Sequence, residues 1–165
     1  MGTNYRISEL NAAVGVAQLR KLDHMLEVQR ANKAFIKEGL AGLNRVSFRD
    51  LPDKEGDSAT FLSFFLPTED EARQAAKDLA AAGVDGCFYW YDNNWHYHRS
   101  WDHLKQMKSP AALAPDRLGY GENWAERDLS ASDAIMGRTI CMLIKLSWDE
   151  PALTERLQKM RSVLA

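Results

Sequence analysis

The sequence has 165 residues, 45% of them apolar and 27% charged, with a formal charge of −2. That is enough chain for one ordinary domain with a real core, and the slight acidity argues against the basic footprint of a nucleic-acid binder. No apolar run approaches the roughly 18 residues of a membrane span, no secretory signal opens the sequence, and Cys87 and Cys141 are its only cysteines; the expectation is a reduced, cytoplasmic protein without a disulfide framework.

From Ser8 to about Leu43 there is no proline, and Leu10, Val14, Ala17, Leu22, Met25, Leu26, Phe35, Ile36 and Leu40 recur at helical spacing. Ser8 is the expected N-cap. Unbroken, this helix would run roughly 50 Å at about 1.5 Å per residue, so it must kink or reach beyond the domain. Its first half, LNAAVGVAQL, is apolar on nearly every side, which implies burial from more than one direction. Its second half is amphipathic and suits a sheet. Strands are expected at 46–51, 59–67, 87–91 and 140–148. Thr68 and Glu71 read as a capping box for a helix that Gly83 ends. A further helix should start at Ser130 or Ser132, read as caps, and Pro151 should sit in the first turn of the last helix. Met136, Met142 and Met160 read as core. Together these give an α+β fold: a small, mostly antiparallel sheet with helices on one face.

Two stretches carry chemistry. In GTNYRISELNAAVGVAQLRKLD (2–23), Asn4 and Arg6 stand just before a helix N-terminus, where they could hold a phosphate or carboxylate. From spacing alone, an ordinary capped N-terminal arm is the plainer reading of those residues. In FYWYDNNWHYHRSWDH (88–103), rings alternate with polar heads at a density unusual for either a core strand or a solvated loop. The segment, with rings and hydrogen-bonding heads together, suits contact with a small ligand or a partner. It also suits a satellite aromatic cluster packed beneath a long loop. A zinc site from His96, His98 and His103 with Asp92 and Asp102 lacks the usual closed-site spacing. Asp85 and Asp133 suggest no hydrolase pair, and no serine lies in a nucleophile-elbow context.

The first stretch resembles the N-[YF]-R-x-[ST]-E-L-x-A-A-x-G-x-x-Q-L-x-K-L segment of the DegT/DnrJ/EryC1/StrS aminotransferases, which aminate keto-sugars with pyridoxal phosphate (PLP). Asn4, Tyr5, Arg6, Ser8, Glu9, Leu10, Ala12, Ala13, Gly15, Gln18, Leu19, Lys21 and Leu22 all fit. The resemblance implies the small C-terminal domain of a fold-type I PLP enzyme, about the last two-fifths of a family member. Residues 1–43 would be an interdomain-type helix with a cofactor-contact arm, and 44–165 the small domain. The large domain with the Schiff-base lysine would be absent, since none of the chain's nine lysines lies in a segment like that lysine's. The expectation is a truncated form, a proteolytic remnant or a shortened reading frame, inactive alone. By the same resemblance Asn4 contacts the PLP phosphate of the other subunit of a homodimer, and Arg6 supports that wall.

Many family members carry H-Y-x-P-L-H after the third strand of this domain, lining the sugar pocket. Here the first His–Tyr falls on Tyr89–Trp90 and the second His near Asn94, and the sequence departs at each position. The segment FYWYDNNWHY resembles a subgroup, the 8-amino-3,8-dideoxy-octulosonate transaminases. That likeness implies an 8-keto-octulosonate as substrate, glutamate as amino donor and a role in lipopolysaccharide biosynthesis. Tyr89, Trp90, Asn94, Trp95, His96 and Arg99 are then the substrate-binding candidates, with Arg99 or a charged His meeting the sugar's carboxylate. Residues 91–101 should form an exposed rim. The rival functions are a stand-alone binding or regulatory domain that uses the aromatic loop for a small acidic ligand or a protein partner, for which the β-α-β order invites a ferredoxin-like comparison, and a single-strand nucleic-acid binder with stacking rings, which the acidity opposes.

Overall fold

The computed structural model describes residues 6–92, 97–106 (without the side chain of Leu104) and 128–165. Among them the long N-terminal helix is broken at Arg20–Lys21 into α1 (Glu9–Leu19) and α2 (Leu22–Leu40). Ser8 caps α1 as its spacing predicts: its side-chain oxygen accepts the Asn11 N–H at 3.2 Å. The break lets α2 lie along the sheet while α1 stands off it. No residue of α1 is buried, and Leu10 is 76% and Leu19 67% exposed.

Four strands follow: β1 (Ser47–Phe48), β2 (Phe61–Phe65), β3 (Cys87–Tyr89) and β4 (Thr139–Leu143). All are shorter than the sequence suggests. They form one fully antiparallel sheet in the order β1-β2-β4-β3. Between β2 and β3 lies α3 (Glu69–Ala81), after β3 a short α4 (Asp102–Lys105), before β4 the helix α5 (Ser130–Met136), and at the end α6 (Glu150–Leu164).

The caps follow local chemistry, with two departures from the expected ones. Thr68 accepts the Glu71 N–H at 3.2 Å, but the Glu71 carboxylate turns to Arg45 at 3.0 Å, so only half of the capping box forms. At α5 the cap is neither serine: the Ser130 N–H donates to Asp128 at 2.9 Å. Gly83 stops α3 by entering the left-handed region (φ 77°), and the Val84 N–H then reaches back to the Leu79 carbonyl at 2.9 Å. Asp149 caps α6 through the Ala152 N–H, with Pro151 in the first turn.

The core lies on one side of the sheet. Leu62, Phe64 and Leu66 alternate inward from β2 and its end, Ile140, Met142 and Ile144 from β4, and they meet Ile36 and Leu40 of α2, Ala72, Ala75 and Leu79 of α3, and Leu153, Met160 and Leu164 of α6. Each fully buried large side chain contributes roughly 1.5–3 kcal/mol relative to exposure. Met142 and Met160 are core as expected, whereas Met136 lines the opposite side of the sheet. No helix among the described residues is long and apolar enough to cross a membrane.

The uncovered apolar surface of α1 leads to an expectation about association. In sedimentation experiments the chain should associate as its concentration rises, and Leu10→Glu with Val14→Glu should suppress this. Because both positions are exposed, the double variant should change the unfolding free energy by only about 0.5 kcal/mol per site. A wild-type chain that stays monomeric at high concentration would contradict the expectation.

Candidate functional site

The side of the sheet away from α2, α3 and α6 carries a cleft of about 470 Å³, within the roughly 300–1,000 Å³ usual for small-molecule sites. Its position follows from strand alternation. With Leu62 and Phe64 in the core, Phe61, Ser63 and Phe65 must face the other way. The antiparallel register sets Ser63 opposite Cys141 and Phe65 opposite Thr139, and these five side chains make the floor. Ile135 and Met136 of α5 and Trp90 wall one end, and Arg49, Asp57, Ser58 and Thr60 the other.

The floor's polar atoms are satisfied internally. Ser63 Oγ and Cys141 Sγ lie 3.0 Å apart, and the Thr139 hydroxyl donates to the Ile135 carbonyl at 2.7 Å. Burial pushes the Cys141 thiol up, against the Ser63 hydrogen bond and the charges of Arg49 and Lys33; it remains a neutral thiol, not a nucleophile. Cys87, on the core side, is pushed up to about 12 by burial. At the polar end Lys33, buried on α2, donates to Asp57 at 2.5 Å. Burial opposes the Asp57 charge, but the Lys33 hydrogen bond, the Ala59 N–H and the charges of Lys33 and Arg49 prevail and hold its carboxyl below the ordinary value. Arg30 fastens the same loop through the carbonyls of Asp57 (3.0 Å) and Glu55 (2.5 Å).

The aromatic segment divides between the two sides of the sheet. Trp90, in a 3-10 turn directly after β3, lines the cleft. Tyr89 goes the other way: it is half-buried against the core, and its hydroxyl donates to the Gly137 carbonyl at 2.8 Å. Burial raises its pKa to about 12 although Arg73 pulls down. The Arg73 guanidinium stacks 4.8 Å from the Tyr89 ring and 5.6 Å from Tyr91, and pairs with Asp92 at 3.1 Å. Tyr91, Tyr97 and His98 continue this ring series at centroid distances of 5.5 and 4.9 Å. Tyr97 is buried, so the expected rim at 91–101 is interrupted there. Burial, with the charges of Arg99 and Lys105, lowers the His98 pKa and keeps the ring neutral.

Arg99 is exposed but engaged: both carboxylate oxygens of Asp133 on α5 accept from it, Oδ1 at 2.7 Å. Arg6 is exposed and non-helical just ahead of Ser8. Asn4, Asn94, Trp95 and His96 lie outside the described residues. Of the substrate candidates within them, the structure brings Trp90 to the cleft and assigns the polar groups of Tyr89 and Arg99 to other partners. Sequence reasoning missed Arg49, Phe61, Ser63 and Phe65; the signal was available in the β2 pattern, whose second face carries rings and a hydroxyl where a solvated strand would carry charges. Among the described residues no three His, Cys, Asp or Glu side chains gather as a metal site.

Residues 1–130 match the DegT/DnrJ/EryC1/StrS aminotransferase family. Solved structures agree on the fold. An aminotransferase from Psychrobacter cryohalolentis superposes with a TM-score of 0.67 at 18% identity, covering 99% of this chain and 40% of its own. DesV of S. venezuelae, solved with a ketimine intermediate, gives 0.66 at 22% identity over 98% of this chain and 38% of that one. A sugar aminotransferase Spr1654 from Streptococcus pneumoniae in its PMP form gives 0.63 at 14% identity over 96% and 35%. The chain thus spans about two-fifths or less of these structures.

The Lys33–Asp57 pair generates a pH expectation. A carboxyl whose folded pKa is depressed contributes stability above its unfolded value, near 3.9, and loses it as pH falls through the folded value. Asp57→Asn should therefore cost about 2–3 kcal/mol at neutral pH, because it leaves the buried ammonium without its counter-charge. The difference from wild type should shrink below about pH 4. Urea unfolding at pH 7 and pH 3 measures both; an equal deficit at the two values would remove the ion pair from the account.

Proposed function

The chain belongs to the DegT/DnrJ/EryC1/StrS aminotransferase family, and from that premise we propose that it serves as the sugar-facing small domain of a PLP-dependent aminotransferase. The observation that carries the reading is the cleft on the side of the sheet away from α2, α3 and α6, with Trp90 on its wall and Phe61, Ser63 and Phe65 on its floor. An apolar, ring-lined floor with hydroxyls and a guanidinium at one end is the kind of surface that holds a sugar: rings meet C–H faces, polar groups fix orientation. On the resemblance of FYWYDNNWHY, the substrate is an 8-keto-octulosonate aminated with glutamate, for lipopolysaccharide biosynthesis, by a homodimer in which Asn4 reaches the cofactor phosphate of the other subunit.

The described residues do not fit the cofactor itself. A lysine that forms a Schiff base must be able to lose its proton in a desolvated pocket. Lys33 is the buried lysine among them, and it is engaged by Asp57 at 2.5 Å beside a cavity of only about 10 Å³, too small to admit the cofactor. PLP in such enzymes supplies the carbonyl that carries the amino group. We place the lysine that holds it outside these residues, on a larger domain that the chain would complete.

Two outcomes test this. Treated with PLP and then borohydride, the 165-residue chain should show only scattered, sub-stoichiometric pyridoxyl labelling by peptide mapping. A single stoichiometric pyridoxyl-lysine would overturn the division of labour. In an aminotransferase that carries these residues as its small domain, Trp90→Ala should lower kcat/KM for the keto-sugar about tenfold or more, a loss of at least about 1.4 kcal/mol, with PLP absorbance retained. Unchanged kcat/KM would remove the cleft from the substrate site.

A further inference from the structure

The cleft has one strongly charged donor that its own fold leaves unused. The Arg99 guanidinium, expected from the sequence to meet a sugar carboxylate, is committed to Asp133. Arg49 is not so committed. It follows β1, lies exposed at the polar end of the cleft, and its guanidinium has no hydrogen bond or ion pair among the described residues. Its backbone N–H donates to the Ser63 carbonyl at 3.4 Å, which holds the residue beside the cleft floor. Asp57, the carboxylate that shares this end, is already neutralised by Lys33 at 2.5 Å. The charge of Arg49 is felt both at Asp57 and at Cys141 in the floor, so its field extends over the place where a ligand would lie.

We propose that Arg49 reads the acidic group of the ligand, and that the cleft therefore selects a sugar acid over a neutral sugar. The inference rests on the sugar-binding reading, whose proposed octulosonate already carries a carboxylate, and adds the residue that reads that group and the orientation of the ligand. The carboxylate lies at the Arg49 end, and the carbon chain runs across Ser63 and Phe65 toward Trp90. The sheet fixes the span. Arg49 follows the β1 edge and Trp90 the β3 edge, with β2 and β4 between them. Three strand spacings of about 4.8 Å separate the edges by roughly 14 Å, and both side chains reach inward from there. A bare carboxylic acid cannot touch both ends, whereas an extended sugar acid can. Guanidinium suits the task because its fork donates two parallel hydrogen bonds to a carboxylate or a phosphate.

The test is an amide NMR titration of the 165-residue chain with D-glucuronate, glucose 6-phosphate and glucose, repeated on Arg49→Gln and Arg49→Lys. Glucuronate should shift the amides of Arg49, Ser63, Phe65 and Thr139 and bind at least about tenfold tighter than glucose, a difference of about 1.4 kcal/mol. Arg49→Gln should abolish that preference while leaving the weak glucose response in place, and Arg49→Lys should retain part of it. A preference that survives Arg49→Gln, or equal affinity for glucuronate and glucose at the same amides, overturns the role of Arg49 and leaves the sugar reading standing. Glucose 6-phosphate binding tenfold tighter than glucuronate overturns the carboxylate and assigns the site to a phosphate. If no sugar moves an amide of the cleft, the sugar reading falls together with the inference.

Discussion

One row of side chains organises this fold: Phe48, Phe64, Ile140 and Tyr89 stand opposite one another across four antiparallel strands and all turn toward α2, α3 and α6. Because strand side chains alternate with a period of two, burying this row sends its neighbours to the other side without further choice. Phe61, Ser63, Phe65, Thr139 and Cys141 are thereby delivered as a contiguous floor, on the side away from α2, α3 and α6. A register slip of one residue would exchange the two sets, placing Ser63 in the core and Phe64 in the cleft, so packing on one side enforces the chemistry available on the other.

The aromatic segment is tied to this scaffold at both ends. Arg73 of α3 grips its start, stacking on Tyr89 and Tyr91 and pairing with Asp92. Asp133 of α5 grips its far end through Arg99. Individually such exposed ion pairs contribute little, about 0–1 kcal/mol. Their consequence is positional. α5 also supplies Ile135 and Met136 to the cleft wall, so the same short helix anchors the segment and shapes the site beside it. The rings within the segment serve two ends: Tyr89, Tyr91, Tyr97 and His98 form a packed series, and Trp90 faces the cleft. Cleft lining and satellite packing, rivals when only the residues are considered, are divided among neighbouring positions.

Most of the architecture was legible from the residues: the main helices, their order, the antiparallel sheet and the helices packed on its core side. The family was legible too, because the arm and α1 hold so many fixed residue types in about twenty positions. What escaped depends on tertiary context. The break at Arg20–Lys21 has no proline or glycine to announce it. The strands are shorter than their apolar runs: β4 ends at Leu143, although the Ile144 N–H still donates to the Thr60 carbonyl at 2.9 Å. Helix α5 starts at Ser130, one of the two expected starts, but Leu129 takes the cap position and the Ser130 N–H donates to Asp128. In the site, sequence drew attention to Arg99 because it sits among rings, and it passed over Arg49 because it sits among charges. Only the partners decide between two arginines: Asp133 occupies one, while the Lys33–Asp57 pair leaves the other its charge.

The central claim is that one sheet has a structural side and a binding side, and fluorine labelling of the six phenylalanines tests it most directly. With resonances assigned by single Phe→Tyr substitutions, the ¹⁹F spectrum of the chain would be followed as D-glucuronate is added. The account predicts that Phe61 and Phe65 shift with ligand and respond to exchange of H₂O for D₂O before it is added, while Phe64 does neither. A ligand response at Phe64, or silence at Phe61 and Phe65 at saturating D-glucuronate, would contradict it.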